Sequence, residues 1–148
     1  MMRASGVLLA LALTFGIGAA LSHAYLERST PRDGSTVTVM PNSIGLEMTE
    51  AVELRFSTFK VYKLETRETE LHRIHADAAN LMNRVLALKN DEAARVDAGL
   101  ATTEATSKTI SIKLKSKLEP GYYAVMWRVL SVDTHTTEGY IFFRYRPD

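Results

Sequence analysis

Trp127-Arg128-Val129-Leu130-Ser131-Val132-Asp133-Thr134-His135 is the stretch on which the reading of this chain turns. Just before it, apolar Tyr123 and Val125 alternate with their neighbours, and Trp127 and Val129 continue the period of two. That period defines a β-strand with one buried face. Extended further, it puts Ser131, Asp133 and His135 on the same side, so a carboxylate and an imidazole are expected to leave one strand end together. Asp-x-His in a polar loop is by itself only a solvated turn. It gains weight from the far end of the chain, where export processing would make a histidine the first residue.

That processing is read from Arg3, the apolar run Val7 to Phe15, and the small-x-small site Ala20-Leu21-Ser22. Together they have the form of a secretory signal peptide. Cleavage after Ser22 leaves His23 at the N-terminus and residues 23–148 as the mature domain, exported to the periplasm. The alternative, a retained membrane anchor, is disfavoured because Val7 to Leu21 is short for a spanning helix and contains Gly16 and Gly18.

With 148 residues, one domain is expected. The formal net charge of +1 and the absence of basic runs interleaved with aromatics argue against a nucleic-acid partner. There is no cysteine, so disulfides and thiolate metal sites are excluded and a transition metal would need nitrogen, oxygen or thioether ligands.

Along the mature chain, His23 to Ser29 reads as an extended edge strand. Pro31-Arg32-Asp33-Gly34-Ser35 reads as a tight turn with Gly34 at positive φ. Alternation at Ile44, Leu46 and Met48 gives another strand, and Thr58 to Leu64 a further, less regular one. The strand pattern then breaks. Leu81, Val85 and Leu88, with Met82, are spaced three and four apart and predict an amphipathic helix within Asp77 to Val96, capped by Asp77. Ala93 to Ser107 reads as a loose loop. Strands return at Thr109 to Lys115, at Tyr122 after the Glu119-Pro120-Gly121 turn, and at Gly139 to Arg146, the last two forming a hairpin. The sum is an all-β, antiparallel, immunoglobulin-like β-sandwich of about seven strands, with a helical insert at about residues 65–107.

The mature start His23-Ala24-Tyr25-Leu26, followed by Ser29-Thr30-Pro31-Arg32-Asp33-Gly34-Ser35, resembles the opening of CopC-type copper-resistance domains. The run from Pro120-Gly121-Tyr122 through Trp127 to Asp133-Thr134-His135 resembles their closing motif, and Thr49-Glu50-Ala51-Val52-Glu53 is similar to a third family stretch. The resemblance implies a periplasmic Greek-key sandwich that binds copper(II) through His23, Asp133 and His135, with Glu50 beside the metal. It also implies a carrier or chaperone role in copper resistance and homeostasis, with an inner-membrane copper transporter of the CopD type as partner. A monomer is expected. Thr134 stands where the family frequently has glycine and Thr136 where it has proline, and neither departure removes a ligand.

The residues support the same chemistry. An N-terminal histidine offers its α-amine and its imidazole as a chelate. His135 adds a third nitrogen and Asp133 an oxygen, a set that suits the tetragonal preference of copper(II). Glu50 is expected to accept a hydrogen bond from a ligating imidazole or a bound water. Met40, Met48, Met82 and Met126 are scattered, and no copper(I) site is expected from them. His72 and His75, three apart in the insert, share a helix face but have no evident third ligand, and are read as an exposed flank. Two alternatives to a carrier are a copper-dependent oxidase or monooxygenase with a histidine-brace site, and an interaction module without metal. The enzyme is disfavoured because Asp133 would close the coordination position that oxygen needs.

Overall fold

The computed structural model describes residues 23–148. The signal-peptide reading of residues 1–22 lies outside the described residues. The strands are β1 (Leu26–Thr30), β2 (Thr36–Val37), β3 (Ser43–Glu53), β4 (Thr58–Leu64), β5 (Asp97–Leu100), β6 (Thr106–Leu114), β7 (Gly121–Leu130) and β8 (Thr136–Tyr145), and the helix α1 spans Leu71–Val85. They form two four-stranded sheets, ordered β1-β3-β6-β5 and β2-β8-β7-β4. The chain crosses between the sheets in Greek-key fashion, as expected of a β-sandwich. One pairing departs from the antiparallel expectation, since β2 runs parallel to β8. The Pro31–Ser35 turn delivers β2 to the other sheet in that direction. Gly34, at φ +70, donates its N–H to the Phe142 carbonyl at 2.8 Å.

Alternation along β3, β4, β6, β7 and β8 builds the core between the sheets. Ile44, Leu46, Met48, Val61, Ile110, Ile112, Tyr123, Val125, Val129 and Phe143 meet there. Trp127 lies directly over its cross-strand partner Gly139, where a Cβ would come within 2.5 Å of the indole. A glycine there is a close-approach requirement, and any side chain would displace the tryptophan.

The alternation fails at Ala124, Met126, Phe142 and Tyr62, which are buried although they point the other way. The cause is α1, which lies on the outer face of the β2-β8-β7-β4 sheet and forms a second apolar cluster from Ile74, Ala78 and Leu86 against those residues. The protein therefore has three layers. Helix α1 begins earlier than the sequence predicts, after Glu70, which makes no side-chain cap. Asp77 is not a cap but a mid-helix residue whose carboxylate accepts a 2.6 Å bond from the Thr66 hydroxyl. Leu88 falls beyond the helix and is exposed.

Ala93 to Ser107 is not a loose loop either. Within it lie β5 and a bridge between the sheets: Val96 N–H donates to Val61 O on β4, and Val96 O accepts from Lys115 N–H, both at 2.8 Å. Asp97 anchors the bridge, accepting from Val61 N–H at 2.8 Å and from Arg95 at 2.5 Å. Just upstream, the ammonium of buried Lys60 reaches Val85 O and Leu88 O at 2.8 Å and Asp91 Oδ2 at 2.5 Å, and the Tyr62 hydroxyl also bonds Asp91. This polar cluster fastens the C-terminal end of α1 to the sheet.

Candidate metal centre

The site sits at one end of the sandwich, where the β7–β8 hairpin turns. Strand β7 ends at Leu130, so Asp133 and His135 do not continue its inner face as the period of two predicts. A tight turn gathers them instead. Ser131 N–H donates to His135 O at 2.8 Å and Thr134 N–H to Ser131 O at 2.9 Å. The Ser131 hydroxyl, buried within the turn, bonds Asp133 Oδ1 and lies 3.0 Å from the His135 carbonyl. The turn is tied to β3 through Val132 N–H and Ala51 O at 3.1 Å, and through the Val52–Ser131 bridge.

Thr134 adopts φ +72, in the left-handed region that β-branched residues avoid. This accounts for glycine being frequent at that place in the CopC pattern. The Thr134 side chain is exposed, so no packing is lost when it is removed. Thr134→Gly is therefore expected to stabilise the protein by about 0.5 to 1 kcal/mol, the relief of left-handed strain being partly offset by the greater freedom of glycine in the unfolded chain. Urea midpoints at constant slope would show it, and a lower midpoint would refute it.

The three residues singled out from the sequence are brought together. The His23 and His135 rings lie 4.6 Å apart between centroids. His135 Nδ1 is 3.2 Å from Asp133 Oδ1. That approach is out of line for a hydrogen bond, and both His135 Nδ1 and Asp133 Oδ2 are shielded from solvent without a hydrogen-bond partner. Shielded, unsatisfied polar atoms are costly, and a bound ion or water would satisfy them. The Ser131 hydroxyl, joined by the His135 backbone N–H and the nearby imidazole and opposed only by partial desolvation, holds the Asp133 carboxyl below the usual carboxylate range. It is thus a charged oxygen donor at neutral pH. Donor types, charge and unsatisfied atoms all fit a divalent cation that favours imidazole, although among the described residues no three His, Cys, Asp or Glu side chains already converge as a ligand set. In the full-length chain the His23 nitrogen is a peptide nitrogen joined to Ser22, and its amine exists only after cleavage.

Glu50 is half-buried in β3, beside the Ala51 carbonyl that ties down the turn. His72 and His75 both lie in α1, but only His72 is the exposed flank expected. His75 packs edge-on against Phe142, with ring centroids 4.7 Å apart, and its Nε2 is 3.4 Å from Asp33. Met48, in β3, is fully buried between the sheets and Met126, in β7, under α1, so the second sheet separates them.

Fold and site together define a small β-sandwich with histidine and carboxylate donors clustered at one end. A family model described as the CopC domain matches residues 26–88 and 78–146, and the chain belongs to the CopC family. Protein YobA of Escherichia coli K12 is 29% identical over 122 residues, covering 82% of this chain and 77% of YobA. The copper transport protein CutJ of Bacillus subtilis 168 is 26% identical over 142 residues, covering 93% of this chain but 20% of CutJ. Among solved structures, CopC from Methylosinus trichosporium OB3b superimposes with a TM-score of 0.59 at 20% identity, covering 84% of this chain and 95% of that one. PcoC, a methionine-rich copper resistance protein from Escherichia coli, does so with 0.58 at 25% identity, covering 84% and 100%. The function of this chain is accordingly copper-related.

Proposed function

We propose that the chain is a periplasmic copper(II) carrier, exported with loss of residues 1–22, that holds one ion through the His23 amine and imidazole, the His135 imidazole and the Asp133 carboxylate. The observation that carries this reading is the approach of the tilted His23 and His135 rings to 4.6 Å, with Asp133 beside His135 and two shielded donor atoms that have no hydrogen-bond partner. Three nitrogens and one oxygen match the tetragonal preference of copper(II), which also heads the divalent affinity order. Glu50 is assigned the role of orienting a ligand or bound water.

The role is binding and delivery, not catalysis, because the Asp133 carboxylate beside His135 would, as a ligand, take the position that oxygen activation requires. The acceptor fits a membrane copper transporter of the CopD type, since a segment like this chain forms one fifth of the transport protein CutJ. No helix among the described residues is long and apolar enough to cross a membrane.

The test is to compare the form starting at His23 with one carrying a single residue before it. The extra residue converts the amine into an amide, which coordinates well only after losing its proton. Copper(II) affinity, measured by chelator competition, is expected to fall more than about tenfold, because outer changes alone cost 10 to 100-fold. Equal affinities would eliminate amine ligation.

A further inference from the structure

N-terminal residues usually fray unless something ties them down. Here the residue after His23 is wholly buried: Ala24 is 0% exposed and belongs to the core between the sheets. Its neighbours' backbone is held from both sheets. The Thr137 hydroxyl, on β8, donates to Ala24 O at 2.5 Å. The Thr49 hydroxyl, on β3, donates to His23 O at 3.2 Å and accepts from Tyr25 N–H at 3.0 Å, while Thr49 N–H donates to Tyr25 O at 2.8 Å. One hydroxyl thus ties the peptide units on either side of Ala24, and a second fixes the Ala24 carbonyl.

From this geometry we infer that Thr49 and Thr137 are positioning residues for the N-terminal chelate. They rivet the first peptide units across the seam of the sandwich, so that His23 is presented to His135 and Asp133 before the ion arrives. The inference rests on the site proposed above. Its physical content is preorganisation: a terminus already ordered in the free protein loses less freedom when the ion binds. Threonine suits the task because its hydroxyl donates and accepts at once, which Thr49 does. Valine keeps the shape and β-branching and removes only the hydroxyl.

The test uses protein exported from the full-length gene product, its first residue verified as His23 by mass spectrometry, with copper(II) ion as the probe. Thr49→Val and Thr137→Val together are expected to weaken copper(II) binding about tenfold, the lower end of what supporting residues around a metal contribute. Thr49→Ser and Thr137→Ser, which keep the hydroxyls, should restore parental affinity. In a His23→Ala background the valine substitutions should cost less affinity than in the parent, because the imidazole they position is gone and only the α-amine remains. Electron paramagnetic resonance should show a nitrogen lost or displaced in the valine variants. Parental affinity in the valine variants overturns the inference, as does an equal loss in the His23→Ala background, which would mark a general structural effect. Should the double variant fail to fold, each single variant carries the same comparison. Unchanged affinity for His23→Ala itself would remove the site, whereas a weakened His23→Ala with unaffected threonine variants would remove only the clamp.

Discussion

Asp91→Asn is expected to destabilise the protein by about 3 to 5 kcal/mol, the range for removing one partner from a buried ion pair. The Lys60 and Asp91 side chains are only 3% and 8% exposed, so neither charge is relieved by water. Without the carboxylate, the Lys60 ammonium keeps two helix-end carbonyls but loses its counter-charge. Tyr62 loses its acceptor, and Arg95, 3.5 Å from Asp91, is left with Asp97 alone. Burial alone would raise the Asp91 pKa, but the hydrogen bonds of Lys60 and Tyr62 and the charges of Lys60 and Arg95 outweigh it, lowering it from 3.8 to about 2. A carboxyl depressed on folding contributes its stability above the unfolded value, and that contribution is lost as pH falls from there through about 2. The parent should therefore lose stability steeply in acid below pH 4, and the variant less so. Urea unfolding at neutral and acid pH would show both effects, and a loss below about 1 kcal/mol would mean that the cluster is well solvated.

His135→Ala is expected to cost copper(II) affinity on the order of 100-fold or more, because it removes a direct ligand where changes one shell out already cost 10 to 100-fold. Asp133→Ala should lose affinity in the same direction. The fold should survive both changes, since these side chains are about one third exposed and the turn is closed by backbone bonds from Ser131 and Thr134. Chelator competition reads the affinity and circular dichroism the fold. If both variants hold copper as tightly as the parent, the ion binds elsewhere. A loss confined to His135→Ala would reduce Asp133 to a partner that orients the ring.

The nearness of His23, Asp133 and His135 was legible through the resemblance to CopC-type motifs, whose donor types suit copper(II). How they meet was not, since a turn with Thr134 at positive φ leaves no periodic trace and continuing the strand period gave the wrong path. Thr49, Thr137 and Ser131 were missed for a related reason: a hydroxyl bound to backbone across the fold looks like any strand threonine or serine. The only signal was their nearness to the family-like motifs.

The sequence by itself determined the inner face of the sandwich, through the alternation at Ile44, Leu46 and Met48 and from Tyr123 to Val129. It also determined the Pro31–Ser35 turn and the identity of the candidate donors. A period of two reports burial on one face of a strand and is silent about a layer laid on the other. Only the tertiary structure decided that α1 covers Ala124, Met126 and Phe142, that the uncapped helix starts after Glu70, and that residues 95–97 join the two sheets as a bridge. Nothing in the strand and helix periodicity marks Lys60, Asp91 and Asp97 as buried. They are buried because groups 25 to 36 residues apart neutralise one another and satisfy backbone polar atoms, a balance that exists only once the layers are stacked.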